Sequence, residues 1–300
     1  MFCMVTMIQD KDDRKRGANV ATEKQDMFVT KANELIQKSR YDLTLPQQKI
    51  VLFLVSQLNP FSENMQIEFR IADFCKAVGM NASSGENFKD LRQNLRKIKN
   101  TSWEILQPKQ TADGRLCASE VSWIGHIDWY WKADGKREDG SVSVTIDERL
   151  RPYLLNLHGN FTRYELMWVL CFKSKYSIRW YEYCKSIHFY ELKPYKTQIP
   201  IDELKRILGA EKYQTWQALK ERALQPATAE INDFTDKRVS YKAIKRGRTV
   251  VSVEVVVESK DTIEAIRTRL DNLQKLHINP DQMTLFDDLE PNEELQNEEI

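Results

Sequence analysis

The sequence has no apolar segment fit for a membrane. Runs such as the six residues Ile50 to Val55 fall far short of the ~20 that a spanning helix needs, and residues 1–21 lack the apolar centre of a secretory signal. A cytoplasmic address with no membrane partner is expected. Cysteine is scarce: Cys3, Cys75, Cys117, Cys171 and Cys184 are odd in number, scattered, and contain no Cys-x-x-Cys pair, which excludes a disulfide framework or a zinc knuckle and leaves reduced core residues. With 10 Gly and 9 Pro in 300 residues, and 41% hydrophobic residues, neither collagen nor bulk disorder fits, and a core can form. The four histidines (His126, His158, His188, His277) lie far apart without metal-ligand spacing. There is no Gly-x-x-x-x-Gly-Lys-[Ser/Thr] loop for a nucleotide. No catalytic residue, cofactor or metal ligand is expected, and the chain does not read as an enzyme.

Charge is present in bulk but unevenly placed. The 45 Lys+Arg and 44 Asp+Glu give a net of +1. From Pro280 onward, however, there are eight acids and no base, so the preceding 279 residues hold 45 bases against 36 acids, a net of +9. A basic body with an acidic tail is a pattern compatible with phosphate-backbone binding. A solvated surface with a solubilising tail would have the same charge pattern.

The chain reads as a mobile polar arm (residues 1–27), two domains (28–158 and 159–260), a C-terminal helix (261–279) and the acidic tail (280–300). In the first domain Thr44 and Gln47, with Pro46 between them, form a helix-start signature, and Ile50, Val51, Phe53, Leu54 and Leu58 recur at helical spacing. Met65, Ile67 and Phe69 alternate as a short strand, Ile71–Val78 reads as a helix closed at Gly79, and Phe88, Leu91, Leu95 and Ile98 form one stripe on a third helix. Strands are expected at Trp103–Leu106, Val121–Trp131 and Val142–Ile146. The second domain repeats the order: a helix over Trp168–Phe189, a short strand at Thr197–Ile199, a helix over Ile201–Leu208 stopped at Gly209, a helix holding Trp216, Leu219 and Ala223, and a hairpin of Val239–Ile244 with Thr249–Val257. Ile71-Ala-Asp-Phe-Cys-Lys-Ala-Val-Gly79 and Ile201-Asp-Glu-Leu-Lys-Arg-Ile-Leu-Gly209 align without a gap. The expected class is α+β, two tandem winged helix-turn-helix domains in pseudo-repeat.

In such a unit the third helix enters the major groove, so its solvent face must meet base edges and phosphates. With the first stripe turned inward, Lys89, Gln93, Arg96, Lys97 and Asn100 face outward, flanked by Arg92 and Lys99. Arg and Lys suit guanine or phosphate, and Gln or Asn suits adenine. In the second unit Gln214, Gln217, Glu221, Arg222 and Gln225 face outward, a set better suited to reading bases than to neutralising charge. Phosphate contacts in that half are then expected from Lys173, Ser174, Lys175 and Arg179, and from the hairpin tip, Lys245, Arg246 and Arg248, where Gly247 supplies the positive φ of a tight turn. An ordinary solvated helix face remains the alternative for the first set.

These residues resemble a known family, the two-winged-helix plasmid replication initiators that bind repeated origin sequences (iterons). The matching stretches are Lys31-Ala-Asn-Glu-Leu-Ile36 with Leu43-Thr-Leu-Pro-Gln-Gln-Lys-Ile50, then Ser174-Lys-Tyr-Ser-Ile-Arg-Trp-Tyr-Glu182, then Ala223-Leu-Gln-Pro-Ala-Thr-Ala-Glu-Ile-Asn232 leading to Thr235-Asp236 and Lys245-Arg-Gly-Arg248. The resemblance implies a sequence-specific protein that binds double-stranded origin iterons, one domain per successive major groove, and recruits the host helicase-loading machinery. It also implies homodimers that repress their own promoter. Two rivals stay open. A transcriptional repressor without origin activity needs the same two winged helices. A rolling-circle nickase would need a His-hydrophobic-His metal site and a Tyr nucleophile, of which His126-Ile127-Asp128 has one histidine.

In the tail, Gln282-Met-Thr-Leu-Phe286, followed by Asp287 and Asp288, is similar to the short peptide by which bacterial replication proteins dock on the sliding clamp. Leu285 and Phe286 would fill an apolar pocket while Gln282 bonds its rim; the alternative is that both cap the last helix. A peptide of residues 280–290 is expected to bind purified clamp, and Phe286→Ala to abolish that binding. Absence of binding at high micromolar peptide overturns the reading.

Overall fold

The computed structural model describes residues 27–78, 85–110, 113–135, 138–188 and 193–277, with backbone alone for 106–110, 116–119 and 138. The expected arm, apart from Met27, and the expected tail with Gln282, Leu285 and Phe286 lie outside the described residues. The chain from Met27 to Ile278 forms one compact unit. In order it contains β1 (Phe28–Ala32), α1 (Asn33–Lys38), β2 (Ser39–Arg40), α2 (Leu45–Ser56), β3 (Gln66–Arg70), α3 (Ile71–Ala77), α4 (Gly85–Lys99), β4 (Ser102–Gln110), β5 (Leu116–Ser122), β6 (Ile124–Trp131), β7 (Glu138–Ile146) and α5 (Arg151–Leu154). There follow β8 (Phe161–Glu165), α6 (Met167–Leu170), α7 (Lys175–Ile187), β9 (Tyr195–Pro200), α8 (Ile201–Leu208), α9 (Trp216–Leu219), α10 (Gln225–Phe234), β10 (Lys237–Arg246), β11 (Thr249–Ser259) and α11 (Thr262–Lys275). Among the described residues no helix is long and apolar enough to cross a membrane.

The duplication is visible in the strand pairing. Each half has a three-stranded antiparallel sheet, β3-β7-β6 and β10-β11-β9, in which a short strand pairs with the second strand of the hairpin. Ile67 lies opposite Val144 in one sheet and Ile199 opposite Val253 in the other. In both, the short strand runs directly into a helix, β3 into α3 and β9 into α8. Gly209 closes α8 in the left-handed region at φ 65°, where a Cβ would be strained.

The helix α2 begins as its sequence dictates, the Gln47 side chain accepting the Thr44 N–H at 2.9 Å. Its run Ile50 to Val55 is buried on every side, as expected of a helix that is apolar all round. It packs on β1 and α4 and also on α7 of the second half, so one core serves both halves.

Four expectations are corrected. Val121–Trp131 is two strands, because the fully buried Trp123 interrupts the pairing; β5 joins β4 and β6 joins β7, in different sheets. The strand expected at Trp103–Leu106 extends over Ser102–Gln110 as β4 and forms with β5 a separate hairpin, paired with β2, inserted into the first half's copy of the repeated order. Over its described residues, the helix expected at Trp168–Phe189 is likewise two, α6 and α7, since the Ser174 hydroxyl accepts the Tyr176 N–H at 3.2 Å and starts α7 afresh. The helix holding Trp216 continues to Phe234 through a π turn at Lys220–Leu224. Pro226 accounts for that widening: its ring would press on the carbonyl four residues earlier and it has no N–H to give.

The expected division at residues 158/159 is bridged by several ties. β8 pairs with β1 over its whole length. Lys31 on β1 meets Glu182 on α7 at 2.7 Å, both 2% exposed, and the Tyr164 hydroxyl donates to the same carboxylate at 2.6 Å. Burial and that carboxylate push the Tyr164 phenol well above its ordinary range, so it stays a donor. Lys31 also sits 5.4 Å from the Trp123 ring centroid. Lys49 on α2 donates to the Leu170 and Phe172 carbonyls at 2.5 and 2.9 Å, and burial lowers its pKa against the opposing pull of Cys171 and Glu230. Behind α7, burial would raise the Asp236 carboxyl, but Lys185, Lys237 and the Tyr181 hydroxyl outweigh it and hold it below the usual range. Cys75 and Cys184 are buried free thiols and Cys171 is a half-buried one. The last helix, α11, is capped by Asp261 and anchored by Asn272, whose side-chain amide donates to the Phe234 carbonyl at 2.7 Å.

Breaking the Lys31–Glu182 pair leaves a lone buried charge, at a cost of about 3–5 kcal/mol. Glu182→Gln or Lys31→Met is expected to lower the urea midpoint accordingly, whereas Lys31→Met with Glu182→Met recovers more than half of the loss. Equal losses for single and double variants would show that the pairing itself is unimportant.

Candidate nucleic-acid interface

The α4 helix places its side chains as its period demands. Leu91, Leu95 and Ile98 are buried and Phe88 is half-buried. Lys89, Gln93, Arg96, Lys97 and Asn100 are exposed, and Lys89, Arg96 and Lys97 have no ion-pair partner among the described residues. Arg92 and Lys99 are half-buried on the flanks. The Arg92 guanidinium lies 4.3 Å from the Trp129 ring centroid, which ties the helix to β6 of the adjoining hairpin. Trp131 at the end of β6 is 56% exposed. The α4 face therefore presents Lys89, Arg96 and Lys97 as cations without an ion pair among the described residues, on a helix held from behind by its own sheet.

In the second half Leu219 and Ala223 are buried and Trp216 is half-buried, while Gln214, Gln217, Glu221, Arg222 and Gln225 are exposed. Thr215 caps this helix, its hydroxyl accepting the Ala218 N–H at 3.2 Å. The Gln217 amide donates to the Glu221 carboxylate one turn on, which orients both. An amide and a carboxylate offer acceptors as well as donors, the chemistry of base edges more than of phosphate. Lys245, Arg246 and Arg248 stand exposed at the β10–β11 tip, around Gly247 at φ 64°. The two halves therefore differ in chemistry, one face cationic and the other rich in amides with its cations at the hairpin tip.

The four residues expected to give phosphate contacts at the start of α7 separate. Lys173 is exposed. Ser174 is the helix cap, and Glu230 accepts the backbone N–H groups of Lys173 and Ser174 at 2.9 and 3.2 Å. Lys175 pairs with Asp42. Arg179 is corrected: it is 6% exposed, with Nε donating to the Ile207 carbonyl at 2.6 Å and Nη2 to the Ser39 carbonyl at 3.0 Å. One turn beyond Lys175, it points into the α8 end and the Tyr41 ring instead of outward. His126 is exposed and bonds Asp128 at 2.8 Å, and among the described residues no group of three or more His, Cys, Asp or Glu could hold a metal ion.

Residues 28–185 match the family model described as initiator replication protein, WH1, and residues 200–256 the model described as initiator Rep protein, WH2. A curated replication initiation protein of Escherichia coli is 29% identical over 258 residues, covering 83% of this chain and 75% of that protein. Among solved structures, that of the Pi initiator protein in complex with iteron DNA has a TM-score of 0.58 at 19% identity, over 79% of this chain and 99% of that one. That likeness is one of fold.

The chemical difference between the faces has a measurable consequence. Arg96→Ala is expected to lower the log–log salt slope of duplex binding by about 0.9 and to weaken all sequences alike. Gln217→Ala should leave the slope unchanged and cost about 1–3 kcal/mol on the preferred sequence alone. Fluorescence anisotropy across a NaCl series checks both, and an unchanged slope for Arg96→Ala would remove that residue from the interface.

Proposed function

Because the chain belongs to the family of two-winged-helix initiator replication proteins, we propose that it initiates plasmid replication by binding repeated origin sequences, with both halves reading one duplex. The observation that carries this is the duplicated sheet-and-helix topology, each copy presenting an exposed face at the helix that follows its short strand-helix unit. The cationic α4 face suits charge neutralisation with some base reading, and the amide-rich α9 face suits base edges, with Lys245, Arg246 and Arg248 holding the backbone beside it. The Pi initiator, of the same fold, was captured on iteron DNA, which supports assigning the same target here.

The protein acts by binding and assembly rather than by catalysis, in the cytoplasm. With no nucleotide loop in the sequence, strand opening falls to a helicase recruited through the host loading machinery. The tail peptide with Gln282, Leu285 and Phe286 offers the sliding clamp a second attachment, and a homodimer form represses the protein's own promoter. A repressor without origin activity rests on the same two reading faces and is the second reading.

Supplying the protein in trans to a plasmid that has the cognate origin but no initiator gene tests the proposal. Stable maintenance is expected. Loss of the plasmid with specific DNA binding intact would favour the repressor, and relaxed circles on supercoiled DNA with Mg²⁺ or Mn²⁺ would favour a nickase.

A further inference from the structure

A cleft of about 250 Å³ lies where the two halves meet. Five cations line it: Arg40 from the first half, and Lys175, Arg179, Arg206 and Lys212 from the second. Two acids share it, Asp42 and Glu211. Crowding like charges in one concavity is unfavourable unless something negative sits among them. The internal partners only partly relieve it. Asp42 takes Lys175, and Glu203 takes one side of Arg206 at 2.8 Å. Lys212 lies over the Tyr213 ring at 5.2 Å, and Arg40 has no ion pair among the described residues.

The charge at the back of the cleft is fixed and incompletely satisfied. Arg179 is locked by the Ile207 and Ser39 carbonyls, yet its Nη1 has no hydrogen-bond partner. A buried cation with an open donor is costly to keep, and it strengthens the hold of its cavity on an anion. Gly209 closes one side at φ 65°, and a Cβ there would meet the Arg179 Cδ at 3.9 Å. Arg40, Arg179 and Arg206 all line this one space, and guanidinium groups suit the oxygens of a phosphate.

We propose that this cleft is a phosphate-binding site, filled by a backbone phosphate of the bound duplex. The residues at its second-half wall, Arg206 to Lys212, lead directly into the reading helix α9, so the strand flanking that helix is the nearest phosphate source. One phosphate held by Arg40 on one side and by Arg206 and Lys212 on the other ties both halves to the same duplex. This rests on the proposed DNA binding, while the phosphate chemistry of the cleft does not.

The test uses the full chain and the exposed or half-exposed pair Arg40→Gln with Lys212→Gln, and separately Arg206→Gln, each checked for an unchanged melting temperature. Binding of origin duplex is followed over a NaCl series, and the melting temperature is followed with inorganic pyrophosphate at constant ionic strength. The expected result is a slope lower by about 0.9 in the variants, with a loss equal on specific and unrelated duplex. An unchanged slope with a pyrophosphate-dependent rise in melting temperature that the variants lose would keep the site but assign it to a free phosphorylated ligand. Variants that match the parent in both measurements overturn the proposal. Wild-type protein that binds no duplex but loses its pyrophosphate response in the variants would overturn the DNA reading and leave the cleft standing.

Discussion

A lysine and a glutamate shut away from water, Lys31 and Glu182, set the condition on which the two halves depend. Neither charge has solvent to fall back on, so each must keep the other, and the strand and helix that bear them cannot separate without leaving a naked ion in the core. Tyr164 donates into the same carboxylate and Trp123 covers the ammonium, which draws in one residue from each side of the nominal boundary. The β1–β8 ribbon and α2, with its buried apolar run Ile50 to Val55, follow the same path across it. A chain with a duplicated plan is thereby held as one body, and the spacing of its two reading faces is a property of the core.

On that frame the copies have diverged in chemistry while keeping their topology. The first presents lysines and arginines from a regular helix; the second presents glutamines and a glutamate from a helix widened by a π turn above Pro226. Sequence-independent attraction to phosphate and discrimination among base edges are separable tasks with different donor sets. Dividing them between two helices lets each face be optimised for one. The inter-half cleft adds a third position where backbone charge is met, and it draws on both copies at once.

Much of this was legible in the chain itself. The α4 face could be read residue by residue because Phe88, Leu91, Leu95 and Ile98 keep the helical period, which leaves Lys89, Gln93, Arg96, Lys97 and Asn100 no direction but outward. The second hairpin was readable from Arg246-Gly247 between alternating strands. Local pattern misleads where long-range packing intervenes. Trp123 looks like any aromatic strand residue until its burial splits the strand, and Arg179 looks like a solvent-facing cation until the Ile207 and Ser39 carbonyls claim it.

What the amino-acid order determined alone is whatever depends on neighbours a few residues away: helix stripes, caps, tight turns, and the repeat of strand, helix, helix and hairpin. Tertiary structure alone decided which strands pair across the halves, which charges are buried, and which distant cations share a cleft. The physical reason is range. Helical period and capping bonds act within one or two turns, whereas desolvation of Lys31 or Arg179 depends on residues more than a hundred positions away.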